Sequence, residues 1–160
     1  MTLLILSQVG NTQSFELVDW ETNIVIAQSY HVDAFALNMA NGWEYNAAQV
    51  SLAFTAVNNY GFKLFFSFDY AGNGPWLKSD VTQFIQEYAA NGAYYHYNGK
   101  PFVSTFEGPG SAADWVDIKS DTGCFFVPDW SSIGAGPALD KGVADGLFSN
   151  RPLLFPTRRV

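Results

Sequence analysis

Cysteine, histidine and positive charge are what this sequence has least of. A single cysteine, Cys124, in 160 residues rules out a disulfide within the chain. Its apolar setting, Gly123-Cys124-Phe125-Phe126-Val127, marks it as a small buried hydrophobe. The two histidines, His31 and His96, stand far apart with no neighbouring ligand pattern, so no metal site is expected. Eight basic residues face fifteen acidic ones, a net charge of −7. That balance argues against nucleic acid and anionic membranes, which select Lys/Arg patches. No apolar run approaches the roughly 20 residues of a membrane span. The opening Met1–Ser7 has no basic region and no clear small-residue cleavage site, and reads as a strand rather than a signal peptide.

Apolar and aromatic residues are abundant. They make up 48% and 17% of the chain, with 14 Phe, 8 Tyr and 5 Trp. This suffices for one domain with a sizeable core. The apolar pattern alternates between two periods. Leu3–Val9, Val32–Leu37, Phe62–Phe68, Pro101–Phe106 and Cys124–Val127 read as buried strands, with Asp145–Ser149 a candidate sixth. Between them, Leu17, Trp20, Ile24 and Ala27 fall at helical spacing. Val50, Ala53, Phe54 and Val57 lie at i, i+3, i+4 and i+7, as do Val81, Phe84, Ile85 and Tyr88. A weaker helix is expected over 111–120. Asn46 and Gly61 are the expected caps of the second helix, and Ser79 or Asp80 the start of the third.

Strands alternating with helices imply a parallel α/β sheet with helices outside it. Two architectures satisfy the pattern: an open doubly wound sheet and a (β/α)₈ barrel. In either, the C-terminal ends of the strands share one edge. Asn38, Asp69, Glu107 and Asp129 each follow an apolar run at that edge. Each precedes a loop bearing Gly, Pro or Trp, among them Trp43, Trp76 and Trp130. A single acid in such a place is a turn residue, and Asp129 fits a turn closed through Ser131. Four in register point to a shared polar pocket. Carboxylates accept hydrogen bonds from sugar hydroxyls, indole faces cover the C–H faces of the ring, and paired acids serve as general acid and base in glycoside hydrolysis. Crowded acids also raise at least one pKa. A competing pattern is Ser7-Gln8-Val9-Gly10-Asn11-Thr12, which resembles the FMN phosphate loop of flavodoxins. It carries Val9 where that loop has a hydroxyl, and it leaves the acids of the later strands unexplained.

A longer set of segments resembles glycoside hydrolase family 71, the fungal α-1,3-glucanases or mutanases. They are Val9–Thr12, Asp19-Trp20-Glu21, Val32–Asn38, Gly61–Tyr70, Tyr97–Pro101, Val103–Gly108, Phe126–Ser132 and Val143–Gly146, in family order. The resemblance implies a (β/α)₈ barrel that cleaves α-1,3-glucan within the chain, with inversion and no cofactor, secreted or in the cell wall. It also implies about six of eight βα units over residues 1–149, followed by a tail, 150–160, that matches nothing in the family. Leu6 and Ser7 stand where members carry His and an aromatic. The family's acid/base pair is associated with a later Trp-Asn-Asp-x-Gly-Glu type segment that this sequence does not contain. Asp69 and Glu107 are then the best catalytic candidates present, and Asn38, Trp43, Trp76, Asp129 and Trp130 the substrate-binding ones. Open sheet edges would leave the chain poorly stable and inactive alone. The alternative is a non-catalytic carbohydrate-binding remnant or the product of a pseudogene.

Overall fold

The computed structural model describes residues 4–148, with side chains from Ser7 onward. The expected tail 150–160 lies outside the described residues, as does Ser149 at the end of the candidate sixth strand. Strands β1 (Leu4–Gln8), β2 (Ala34–Ala40), β3 (Lys63–Asp69), β5 (Lys100–Phe106) and β6 (Phe125–Phe126) are parallel and lie side by side in sequence order. Helices α1 (Leu17–Ser29), α2 (Asn46–Tyr60), α3 (Lys78–Tyr88) and α4 (Asp114–Thr122) fill the crossovers, and a short α5 (Ala135–Leu139) follows β6.

The strand order decides between the two architectures. A doubly wound sheet reverses direction after its first strands and places helices on both faces. Here the order never reverses, and all four crossover helices pack on one face. Register places Phe66, Val103 and Phe126 in one row across β3, β5 and β6. Phe66 meets Phe54 of α2 and Phe84 and Tyr88 of α3 with ring centroids 5.6–6.0 Å apart. Phe126 stacks on Trp115 of α4 at 3.5 Å and 7°. Phe66 is fully buried among these rings, so truncating it to Ala is worth about 3–5 kcal/mol. Side chains alternate along a strand, so the other face carries Asn38, Ser67 and Ser104, again one row by register. One face packs against helices, and the other carries this polar row toward the strand tips with Phe65 and Phe102 packed together nearer the strand starts, the wall of a partial (β/α)₈ barrel.

Local chemistry explains most boundaries. Gly61 closes α2 in the left-handed region (φ +67°), as expected. Asn46 is the first helical residue of α2 rather than its cap, and α3 begins at Lys78 after Leu77. The candidate flavodoxin loop is a 3₁₀ turn, Val9–Asn11, with Val9 wholly buried and the Thr12 hydroxyl donating to the Val9 carbonyl at 2.8 Å. Glu16 and Asp19 form a capping box at the start of α1, which puts carboxylates where a phosphate would sit.

Two elements depart from expectation. Asn98 (φ +51°) and Gly99 (φ +76°) form a two-residue hairpin turn joining β4 (His96–Tyr97) to the start of β5. This arm wedges between β3 and β5 at the N-terminal end of the sheet, where Tyr95 donates its N–H to Leu64 at 2.7 Å. At the candidate sixth strand, Asp145–Phe148 is not a strand. It is a strap held by the Asp145 carboxylate, which accepts from the Phe126 N–H at 2.8 Å and from Lys119 at 2.9 Å. Burial works against the Asp145 charge, but these two donors outweigh it and hold the carboxyl below the usual range.

Candidate functional site at the strand tips

Parallel pairing brings Asp69, Glu107 and Asp129 to neighbouring strands at one edge, while Asn38, expected there too, lies two residues inside β2. β2 runs three residues further than its apolar pattern, so Asn38 lies inside the strand, buried, and its Nδ2 donates to Ser67 Oγ at 3.3 Å. Asp69 is the last residue of β3, opposite Ala40 on one side and Phe106 on the other. Its Oδ1 accepts the N–H groups of Ala71 and Gly72 at 2.8 and 2.9 Å, which turns the chain sharply.

Glu107 and Asp129 form the tightest pair. Asp129 bridges Phe106 and donates its N–H to the Thr105 carbonyl at 2.8 Å, and Glu107 donates its N–H to the Asp129 carbonyl at 2.8 Å. The two residues after Trp130 then hold both carboxylates. Ser131 donates its N–H (3.2 Å) and its hydroxyl to Asp129 Oδ1. Ser132 donates its N–H to Glu107 Oε1 (3.1 Å) and its hydroxyl to Oε2. Glu107 sits at φ +55°, a conformation that L-residues adopt at a cost. Gly108 follows at φ +87°, and a Cβ there would lie 2.5 Å from Cγ of Tyr70. The Tyr70 phenol is pushed up by burial and by Asp114, so it serves as a neutral wall.

The tryptophans separate into two kinds. Trp76 is 5% exposed and donates its indole N–H to the Met39 carbonyl at 3.1 Å. Trp130 is 2% exposed and donates to the Glu107 carbonyl at 2.9 Å. Both anchor loops and present little ring surface on this chain. Trp43 is half-buried and stands at the rim, tilted against Tyr45 with centroids 5.2 Å apart. Ser67, Ser131 and Ser132 were not singled out as site residues from the sequence, although Ser131 and Ser132 directly follow Asp129-Trp130. Among the described residues no group of three His, Cys, Asp or Glu side chains is placed to hold a metal ion. No helix among them is long and apolar enough to cross a membrane.

A carboxylate-bearing C-terminal edge on a partial (β/α)₈ barrel is where barrel enzymes carry their functional residues. The fold is shared with the GH99 endo-alpha-mannosidase from Bacteroides thetaiotaomicron, with a TM-score of 0.67 at 17% identity over 84% of this chain and 43% of that one. A dipeptide epimerase from Enterococcus faecalis aligns with a TM-score of 0.59 at 19% identity, over 92% of this chain and 38% of that one. At such identities the likeness concerns the fold alone. Residues 5–151 match glycosyl hydrolase family 71, and the chain belongs to that family. It is 36% identical to a mutanase of Penicillium rubens and 33% identical to the glucan endo-1,3-alpha-glucosidase of Schizosaccharomyces pombe, over 88% of this chain in each case. The chain spans about a third of the length of these relatives, 32% and 36%.

Proposed function

We propose that this chain forms the sugar-holding wall of an inverting α-1,3-glucan hydrolase that cleaves within the polysaccharide, outside the cell or in its wall. The observation that carries this is the backbone pairing of Glu107 with Asp129 on adjoining strand tips, their carboxylates held by the consecutive Ser132 and Ser131, with Asp69 at the tip of the next strand. Inverting hydrolysis needs one acid to protonate the glycosidic oxygen and one carboxylate to take a proton from the attacking water on the opposite face. Asp69 and Glu107 are half-buried at the edge and contact the sugar. Asn38 and Asp129 are buried and set the floor of the cleft. The acid/base pair itself belongs to the later segment noted above, so these groups bind and orient rather than complete the reaction. Residues 1–149 are the barrel part of this proposal and 150–160 lie apart from it. No cofactor enters the chemistry.

One observation favours a second reading, a non-catalytic carbohydrate binder. The oxygens of Glu107, and one oxygen each of Asp69 and Asp129, already accept hydrogen bonds from the chain's own loops. Joining the chain to a family segment that carries the acid/base pair, and incubating the joined protein with insoluble α-1,3-glucan, separates the two. Release of reducing sugar that Asp69→Asn weakens supports the hydrolase. Pelleting of the joined protein without release supports the binder. Neither release nor pelleting overturns both.

A further inference from the structure

Gly72, in the loop that follows β3, lacks a side chain where its backbone would accept one. Its φ lies outside the left-handed region, so the chain path there does not call for glycine. What excludes a side chain is space. A Cβ at position 72 would stand 2.8 Å from Cβ of Ala40, the register partner of Asp69. It would also stand 3.3 Å from Oδ2 and 3.4 Å from Cγ of Asp69 itself. The loop is tied too closely to swing clear. Asn73 Nδ2 donates to the Asn41 carbonyl at 3.1 Å and Asn41 Nδ2 to the Pro75 carbonyl at 2.8 Å. Trp76 Nε1 donates to the Met39 carbonyl at 3.1 Å. These bonds pin the loop to the end of β2.

The Asp69 carboxylate is divided between two tasks. The N–H groups of Ala71 and Gly72 both go to Oδ1, at 2.8 and 2.9 Å, while Oδ2 accepts no hydrogen bond among the described residues. Turning the carboxylate to exchange its oxygens would break both bonds at once. One oxygen is therefore fixed in the turn and the other is left as a charged acceptor, on the side where residue 72 has no methyl group. An ionised acceptor forms the stronger class of hydrogen bond with a hydroxyl donor.

We propose that Gly72 is a positioning residue for sugar recognition, which by having no side chain leaves Asp69 Oδ2 open to a glucose hydroxyl. The inference rests on the reading that Asp69 contacts α-glucan. A hydroxyl oxygen must come within about 2.7–2.8 Å of the carboxylate to donate. A methyl group at 3.3 Å is already in contact with Oδ2 and takes up part of the room for that approach.

The contact with Ala40 and the cover over Asp69 are separable. Gly72→Ala introduces both. The double variant Gly72→Ala, Ala40→Gly removes the 2.8 Å clash and keeps the methyl beside Oδ2. The full chain is titrated with soluble α-1,3-linked glucose oligomers by calorimetry, and stability is read by urea unfolding. Gly92→Ala is the control. Gly92 lies at the opposite end of the sheet, beside Lys63, and has no positive φ and nothing within 4 Å of its Cβ direction, so this variant binds as wild type does. Gly72→Ala is expected to lower both the urea midpoint and the affinity for the oligomer. The double variant is expected to unfold at the midpoint of Ala40→Gly alone, yet to bind about tenfold more weakly than Ala40→Gly, as loss of one charge-assisted hydrogen bond requires. That comparison decides the matter even where Gly72→Ala alone fails to fold. Affinity that returns together with stability in the double variant shows that Gly72 serves only its packing against Ala40, and overturns the inference while the sugar reading of Asp69 stands. A wild-type chain that binds no oligomer overturns the sugar reading of Asp69, and the inference with it.

Discussion

Replacing Gly108 by alanine tests the geometry behind Glu107. Two costs are expected. At φ +87° an L-residue loses about 1–2 kcal/mol to the clash between its Cβ and the backbone. The new methyl also has no room. It would stand 2.5 Å from Cγ, 2.6 Å from Cβ and 2.9 Å from Cδ1 of Tyr70. Cβ and Cγ are the root of that side chain, and Tyr70 is 7% exposed, so a rotamer change cannot clear the overlap and the backbone must move. Overpacking of this kind costs a further 1–3 kcal/mol or so. The total is about 2–5 kcal/mol, against a typical domain stability of about 5–15 kcal/mol. Gly61 supplies the control. It has φ +67° and nothing within 4 Å of its Cβ direction, so Gly61→Ala carries the backbone cost alone. Urea unfolding followed by circular dichroism reads both. With a slope of roughly 2 kcal/mol/M, Gly108→Ala moves the midpoint down by about 1–2.5 M, and Gly61→Ala by less than about 1 M. Equal midpoint shifts for the two variants would refute the close approach of Tyr70 to Gly108.

Other expectations follow from single contacts. Ser132→Ala removes the hydroxyl that donates to Glu107 Oε2 and leaves the backbone N–H in place. At this exposed site a double-mutant cycle with Glu107→Gln, read by urea unfolding, should return a coupling of about 1 kcal/mol, and a coupling of zero would show that the hydroxyl does not hold the carboxylate. Asp145 has its carboxyl held below the usual range in the folded protein, so its stabilisation is complete above the unfolded value of about 4 and is lost as pH falls through the folded one. Wild type therefore loses more stability between pH 5 and 3 than Asp145→Asn does, and parallel curves would contradict that. Burial pushes the Cys124 thiol up, and the residue is 1% exposed, so a thiol-specific disulfide reagent reacts with it only after unfolding. Fast labelling of the folded chain would contradict the packing around α4 and β6.

The repeating periods were readable in the sequence because each period reports which face of an element is buried. Val50, Ala53, Phe54 and Val57 mark one buried stripe, and α2 places all four inside. The same alternation of β and α implies parallel strands, and so implies that Asp69, Glu107 and Asp129 share one edge. The Asn98-Gly99 turn was also legible, since that dipeptide favours the two left-handed residues of a tight hairpin. The helix and strand periods alone do not predict the extra arm that this turn closes.

What only the tertiary structure decided is who neighbours whom. Periodicity carries no information about strand order, so a doubly wound sheet and a barrel wall were equally compatible with it. Trp43, Trp76 and Trp130 look alike in sequence, each in a loop that follows an apolar run. Two of them are buried with their indole N–H groups bonded to distant carbonyls, Trp76 to Met39 and Trp130 to Glu107, 37 and 23 residues back. The Asp145 strap has a strand-like composition, yet its carboxylate found Lys119 and the Phe126 N–H, 26 and 19 residues back (145 − 119 and 145 − 126). Local residue order sets the shape of each element, and long-range packing chooses the partners that bring Asp69, Glu107 and Asp129 to one edge.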